Sequence, residues 1–175
     1  ASRSVRELSV CGEVAESNDV IHILAMLLVG FGFLMVFVRR YGFGATTGTY
    51  LVVAIGLPLY MLLRANGIFG HEIAPNTVKA LLFAEFAVAA ALIAMGAVLG
   101  RLRGFQYALL ALFLVPAYLM NEWLVLDKGM GLTAGYQDTA GSVIIHAYGA
   151  YFGRGRSLAC STDRRRSQEL AWEAT

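Results

Sequence analysis

Five apolar stretches, separated by short breaks rich in charge, glycine or proline, decide what this chain can fold into. They run over about Val20–Val38, Ala45–Leu63, Val78–Leu99, Phe105–Leu126 and Thr139–Gly153. As helices all five are long enough, or nearly so, to cross a hydrocarbon core of about 30 Å; the fifth is the shortest. None alternates apolar and polar residues as a half-buried strand does. Folded in water, they would leave far more apolar surface than a soluble domain carries. Only 15% of the residues are charged, against about 25% in an ordinary globular domain. The mean hydropathy is +0.62. The expected fold is therefore an all-α integral membrane protein with about five transmembrane helices occupying 20–153. A segment over 1–19 precedes them and a basic tail over 154–175 follows. Pro116 predicts a kink in the fourth helix. The net charge of +2 gives no case for nucleic acid, because the basic residues cluster by topology.

Charge orients the bundle. With the breaks after the first, third and fifth stretches on one side, that side holds Arg39, Arg40, Arg101, Arg103, Arg154, Arg156, Arg164, Arg165 and Arg166. The other side holds Arg3, Arg6, Arg64, Lys79 and Lys128, together with most of the acids, Glu72 and Asp127 among them. Positive charge collects on the cytoplasmic side of membrane proteins, so the N-terminus is expected outside and the C-terminus in the cytoplasm. Cys11 and Cys160 then lie on opposite sides and are not expected to pair.

The helix faces suggest where function resides. On a regular α-helix Ser142, His146, Gly149 and Gly153 share one face. The two glycines would let another helix approach closely, so His146 is expected to point into protein. It would lie about 12 Å below Asp138 at the ordinary rise per residue. Ionisable groups at such depth are costly and are commonly kept for a ligand, ion or proton path. On the third helix Phe86, Ala90, Ala94 and Ala97 form a stripe that could line a narrow apolar channel plugged at its entrance by the ring. Glu85 lies beside Phe86, and Asn121 and Glu122 stand near the outer end of the fourth helix. Each residue also has a plainer reading. Asp138 can cap a helix start, Phe86 can be packing, Glu85 and Glu122 can satisfy interfacial backbone, and His22 and Trp123 can be interfacial anchors. A membrane redox protein with His22 and His146 as haem ligands is a third class, but those two residues stand at different depths.

Several ordered motifs resemble the ammonium transporter and Rhesus glycoprotein family, in particular its Rhesus branch. They are Val29-Gly-Phe-Gly-Phe-Leu-Met-Val-Phe-Val-Arg-Arg-Tyr-Gly-Phe43, Ala84-Glu-Phe-Ala-Val-Ala with Gly96-Ala-Val-Leu-Gly-Arg101, Asn121-Glu122-Trp123, and Asp138 followed by His146 and Gly149-Ala-Tyr-Phe-Gly153. The resemblance runs from about Ile21 to Gly153. It implies a channel for ammonia or ammonium, with carbon dioxide as a further substrate in some members. It also implies no enzyme activity and no cofactor, a place in the plasma membrane, and a homotrimer with one pore per subunit. It puts Phe86 at the outer pore gate, His146 at the first of two pore histidines, and Asp138 at the acid that supports the substrate entrance. Glu85 and Glu122 match acids near the external vestibule. The family is built as two inverted five-helix repeats, and the match covers the first, so a partial chain is expected. A non-conducting half-transporter that only folds or binds a partner is the alternative. The tail to Thr175 has no counterpart in the resemblance.

Overall fold

The computed structural model describes residues 2–37, 42–69, 73–74, 77–127, 129–131 and 136–158. Among these, every long element is helical. The first helix, α1, spans Ser2–Ala25 and continues as a π-helix over Met26–Gly32 and a 3-10 helix over Phe33–Phe37. Helices α2 (Gly42–Ala65), α3 (Val78–Ala97) and α4 (Gly104–Val125) follow. The fifth, α5, opens as a π-helix over Ser142–Ala147 and continues as α-helix over 148–158.

Four of these spans are long and apolar enough to cross a membrane: Ser9–Phe37, Gly42–Ala65, Val78–Ala97 and Gly104–Val125. Two helices run beyond the apolar stretches that suggested them. The segment before Val20 is helical from Ser2 and continuous with the first span. α5 does not stop at Gly153; it runs on through Arg154 and Arg156, both exposed. Arginine is a good helix former, and solvent-facing arginines do not oblige a helix to end. α4 is helical on both sides of Pro116, where the kink was expected. Neighbouring helices can satisfy the backbone group that a proline frees.

α3 is the hub. Of its apolar window 61% is buried, against 17–39% for the other spans. Its run of Ala84, Ala87, Val88, Ala89, Ala90, Ala91 and Ala94 explains why: small side chains let α1, α2, α4 and α5 all come close. Thr77 starts it by accepting from the Ala80 N–H at 3.2 Å, the ordinary action of an N-cap threonine. α2 ends at Gly67, whose φ of +65° allows Gly67 N–H to reach the Arg64 carbonyl and Ile68 N–H the Leu63 carbonyl, both at 3.1 Å. This pair of bonds closes the last turn.

Two contacts fix which helix ends lie together. Arg101 Nη1 donates to Ser157 Oγ at 2.7 Å, so the break after α3 and the end of α5 share one end of the bundle. Arg64 meets Glu122 and Asp127 at the other end, where α2 and α4 finish. This is the alternation the charge pattern calls for. Arg39, Arg40, His71, Glu72, Lys128, Cys160 and Arg164–Arg166 lie outside the described residues.

Candidate functional site

Helix α5 begins with an exception to regular geometry, and the site is built on it. Gly141 takes a left-handed backbone, φ +66°, which glycine adopts freely. A Cβ there would run into the side chain of Ile145. The chain then winds as a wide π turn over Ser142–Ala147. Asp138 reaches across this start. Both its carboxylate oxygens accept from the Val143 N–H at 3.1 Å, and Oδ2 accepts from the Ile144 N–H at 2.8 Å. These N–H groups have no partner within the first turn, and a carboxylate is the acceptor that the positive end of a helix favours. Asn121 of α4 braces the same turn, its Nδ2 donating to the Ile144 carbonyl at 3.4 Å.

The π turn changes the face expected for His146. The stripe docked against α3 is Ile145, Gly149 and Gly153, all buried, whereas Ser142 and His146 are exposed. His146 therefore does not share the docked face with the two glycines, and among the described residues it is exposed. A π turn holds more residues than an α turn, so the sequence spacing that aligned His146 with the glycines no longer does so. Nor does the separation of about 12 Å from Asp138 follow from the winding found here. It assumed continuous α-helix, but the Asp138 carboxylate bonds Ile144, two residues short of His146.

The glycines do what small residues do at a helix crossing. A Cβ at Gly149 would stand 2.7 Å from the Ala90 carbonyl oxygen, and one at Gly153 would stand 3.0 Å from that of Ala94. The alanine stripe of α3 is thus filled by α5 and leaves no channel between the two helices, contrary to the sequence reading. The helices run parallel, with Gly149 level with Ala90 and Gly153 level with Ala94. Phe86 is half-buried, and its ring meets that of Phe83 edge-on with centroids 6.1 Å apart.

The two acids near these helices are more deeply placed than interfacial carboxylates would be. Glu85 is 0% exposed, and neither carboxylate oxygen has a hydrogen-bond partner among the described residues. Glu122 is 2% exposed. Its Oε2 accepts from the Tyr60 hydroxyl at 2.7 Å and lies 3.7 Å from Arg64 Nη2. Arg64 was visible in the sequence only as one basic residue on the outer side, yet it is buried and organises this end. Buried cations require partners, and a lone arginine at the end of a span is the signal that could have found it. The rings of Tyr60, Tyr118, Tyr148 and Phe152 form a ladder from α2 through α4 to α5, with centroids 5.9–6.5 Å apart. His22, considered as a haem ligand, has Nδ1 2.7 Å from the Asn18 carbonyl.

Several helices long and apolar enough to cross a membrane, packed on one another, define a polytopic membrane protein. The model of the Ammonium Transporter Family matches residues 1–170, and the chain belongs to that family. It is 39% identical over 132 residues to the Ammonium transporter Rh type C of Xenopus laevis, covering 73% of this chain and 26% of the relative. It is 38% identical over 130 residues to the Ammonium transporter Rh type B of Takifugu rubripes, covering 73% and 27%. Among solved structures it matches the Rh50 protein of Nitrosomonas europaea, described with the conduction mechanism of Rhesus channels. The TM-score is 0.80 at 76% identity, covering 83% of this chain and 38% of that one. The chain thus spans about a quarter of the curated relatives' length. It is an integral membrane protein with Rhesus-type relatives.

Proposed function

We propose that this segment forms one wall of a channel that carries ammonia drawn from ammonium. The observation that carries the reading is His146: exposed, and set by the capped π turn. A histidine left uncovered in the span of a membrane protein needs either water or a further protein wall beside it. A pore between this wall and another part of the complete channel supplies both. Ammonium faces a heavy desolvation cost in an apolar lumen, whereas neutral ammonia does not. An imidazole nitrogen can offer ammonia a hydrogen bond, and the Phe86 ring can restrict entry. Selectivity then rests on pore width and on the proton left outside. Asp138 acts through the backbone, holding the turn that aims His146. Carbon dioxide is a further candidate substrate. The complete channel is proposed as a homotrimer in the plasma membrane, on the analogy of its family.

The test is ammonia uptake into vesicles containing the complete channel, followed by stopped-flow pH fluorescence. His146→Ala is expected to change the flux about tenfold or more, since a hydrogen bond lost along a dry path is worth roughly 1.5 kcal/mol. Assembly and membrane insertion should be unaltered. Unchanged flux in a correctly assembled variant would remove His146 from the path.

The orientation proposed is N-terminus outside, from the bias in basic residues. Cys11 is exposed, so an impermeant maleimide added to intact cells is expected to label it. Labelling only after the cells are opened would reverse the topology.

A further inference from the structure

The end of the bundle where α2 and α4 finish holds a cavity of about 590 Å³ whose lining includes Arg64, Thr77, Lys79, Phe83, Glu122 and Asp127. Carboxylates and an aromatic face are the groups that would gather a cation such as ammonium here. Both kinds are already occupied by the chain's own cations. The Arg64 guanidinium lies 3.7 Å from Glu122 Oε2 through Nη2 and 3.4 Å from Asp127 Oδ2 through Nη1. Tyr60 supplies Glu122 with a further hydrogen bond at 2.7 Å, while Arg64 Nε donates to the Tyr60 hydroxyl at 3.3 Å. The Lys79 ammonium stands over the Phe83 ring, 5.9 Å from its centroid.

Arg64 is also fixed in place. Its side chain is 6% exposed, and Nη1 donates to the Phe69 carbonyl at 2.8 Å. Phe69 turns that carbonyl inward from a left-handed backbone, φ +56°, a conformation a bulky residue holds only when its surroundings impose it. The guanidinium cannot swing away from the two carboxylates without giving up this bond and the one to Tyr60.

We infer that Arg64 is a specificity-determining residue: it takes up Glu122 and Asp127 as its own counter-ions, so the cavity does not bind ammonium as a cation. The consequence for flux rests on the transport reading above; the consequence for cation binding does not. Among the described residues the lining carries two cations and two carboxylates, which leaves them no electrostatic well to hold the charged form, and screening by salt should matter little to what enters.

The experiment is calorimetric titration of the purified complete channel with methylammonium chloride at about 20 mM salt, where charge effects are strong. The wild type is expected to show no saturable binding below about 50 mM methylammonium, as the two carboxylates are already neutralised. Arg64→Met is expected to gain a saturable site at least about tenfold tighter, weakening again as salt rises to roughly 200 mM. Adding Glu122→Gln and Asp127→Asn to Arg64→Met should abolish that site. An assembled Arg64→Met channel that binds no better than wild type would overturn the inference. So would a low-millimolar site in the wild type that Glu122→Gln removes, and this arm decides the matter even if Arg64→Met does not assemble. Ammonia flux through the wild type is measured separately. Its absence would defeat the transport reading and leave the binding results to judge Arg64.

Discussion

Replacing Gly149 by leucine is expected to detach α5 from α3 and to lower the thermal midpoint of the purified protein by about 10 °C. A side chain there meets the Ala90 carbonyl oxygen and Ile93. A backbone carbonyl in a buried helix cannot rotate aside as a side chain can. Overpacking a tight site costs about 3 kcal/mol when the backbone must move, and each kcal/mol shifts the midpoint of a domain of this size by about 2–4 °C. The effect should spread to the π turn, because α5 carries the Asp138 cap. The control is Gly155→Leu, on the same helix, where a Cβ meets nothing within 4 Å. Equal midpoints for the two variants would show that the glycine contact does not hold α5 in place.

The opposite sign is expected at Glu85. Its carboxyl group is fully buried without a partner among the described residues, so it costs the folded state the desolvation of a polar group with no bond in return. That cost is about 1–3 kcal/mol even for the neutral acid. Methionine fills a similar volume without it. Glu85→Met is therefore expected to raise the midpoint by about 2–12 °C, read by differential scanning fluorimetry in detergent. A fall would mean that the acid is bonded in the complete channel and that its burial is satisfied there. A rise accompanied by lost flux would mark an acid retained for function at a cost in stability.

Much of the architecture was legible because it rests on long-range composition. Apolar length gave the spans, and the arginine bias gave the alternation of ends that the Arg101–Ser157 and Arg64–Asp127 contacts display. Gly149 and Gly153 were legible as a close-approach pair because only small residues at helical spacing serve that purpose. The failures share one cause. Faces were assigned by assuming a uniform helical period, and the local winding at Ser142–Ala147 is not uniform. Nothing in Ser-Val-Ile-Ile-His-Ala announces a wide turn; it is imposed by Asp138 bonding Val143 and Ile144 and by Asn121 reaching the Ile144 carbonyl. Tertiary partners of this kind are invisible to a periodicity argument. The same holds for Arg64, whose four partners come from α2, α4 and the two connections that follow them.

The wide turn has a consequence for how relatives should be compared. A π turn accommodates one more residue than an α turn while leaving the helix beyond it in place. A related protein that lost a single residue between Gly141 and Tyr148 could keep both glycines seated on α3 and still present a different side chain where His146 stands. Alignments that force this stretch to be gap-free would then equate residues occupying different sides of the helix. Equivalence here is best judged by distance from the carboxylate that caps the turn, counted separately from the glycines that dock it.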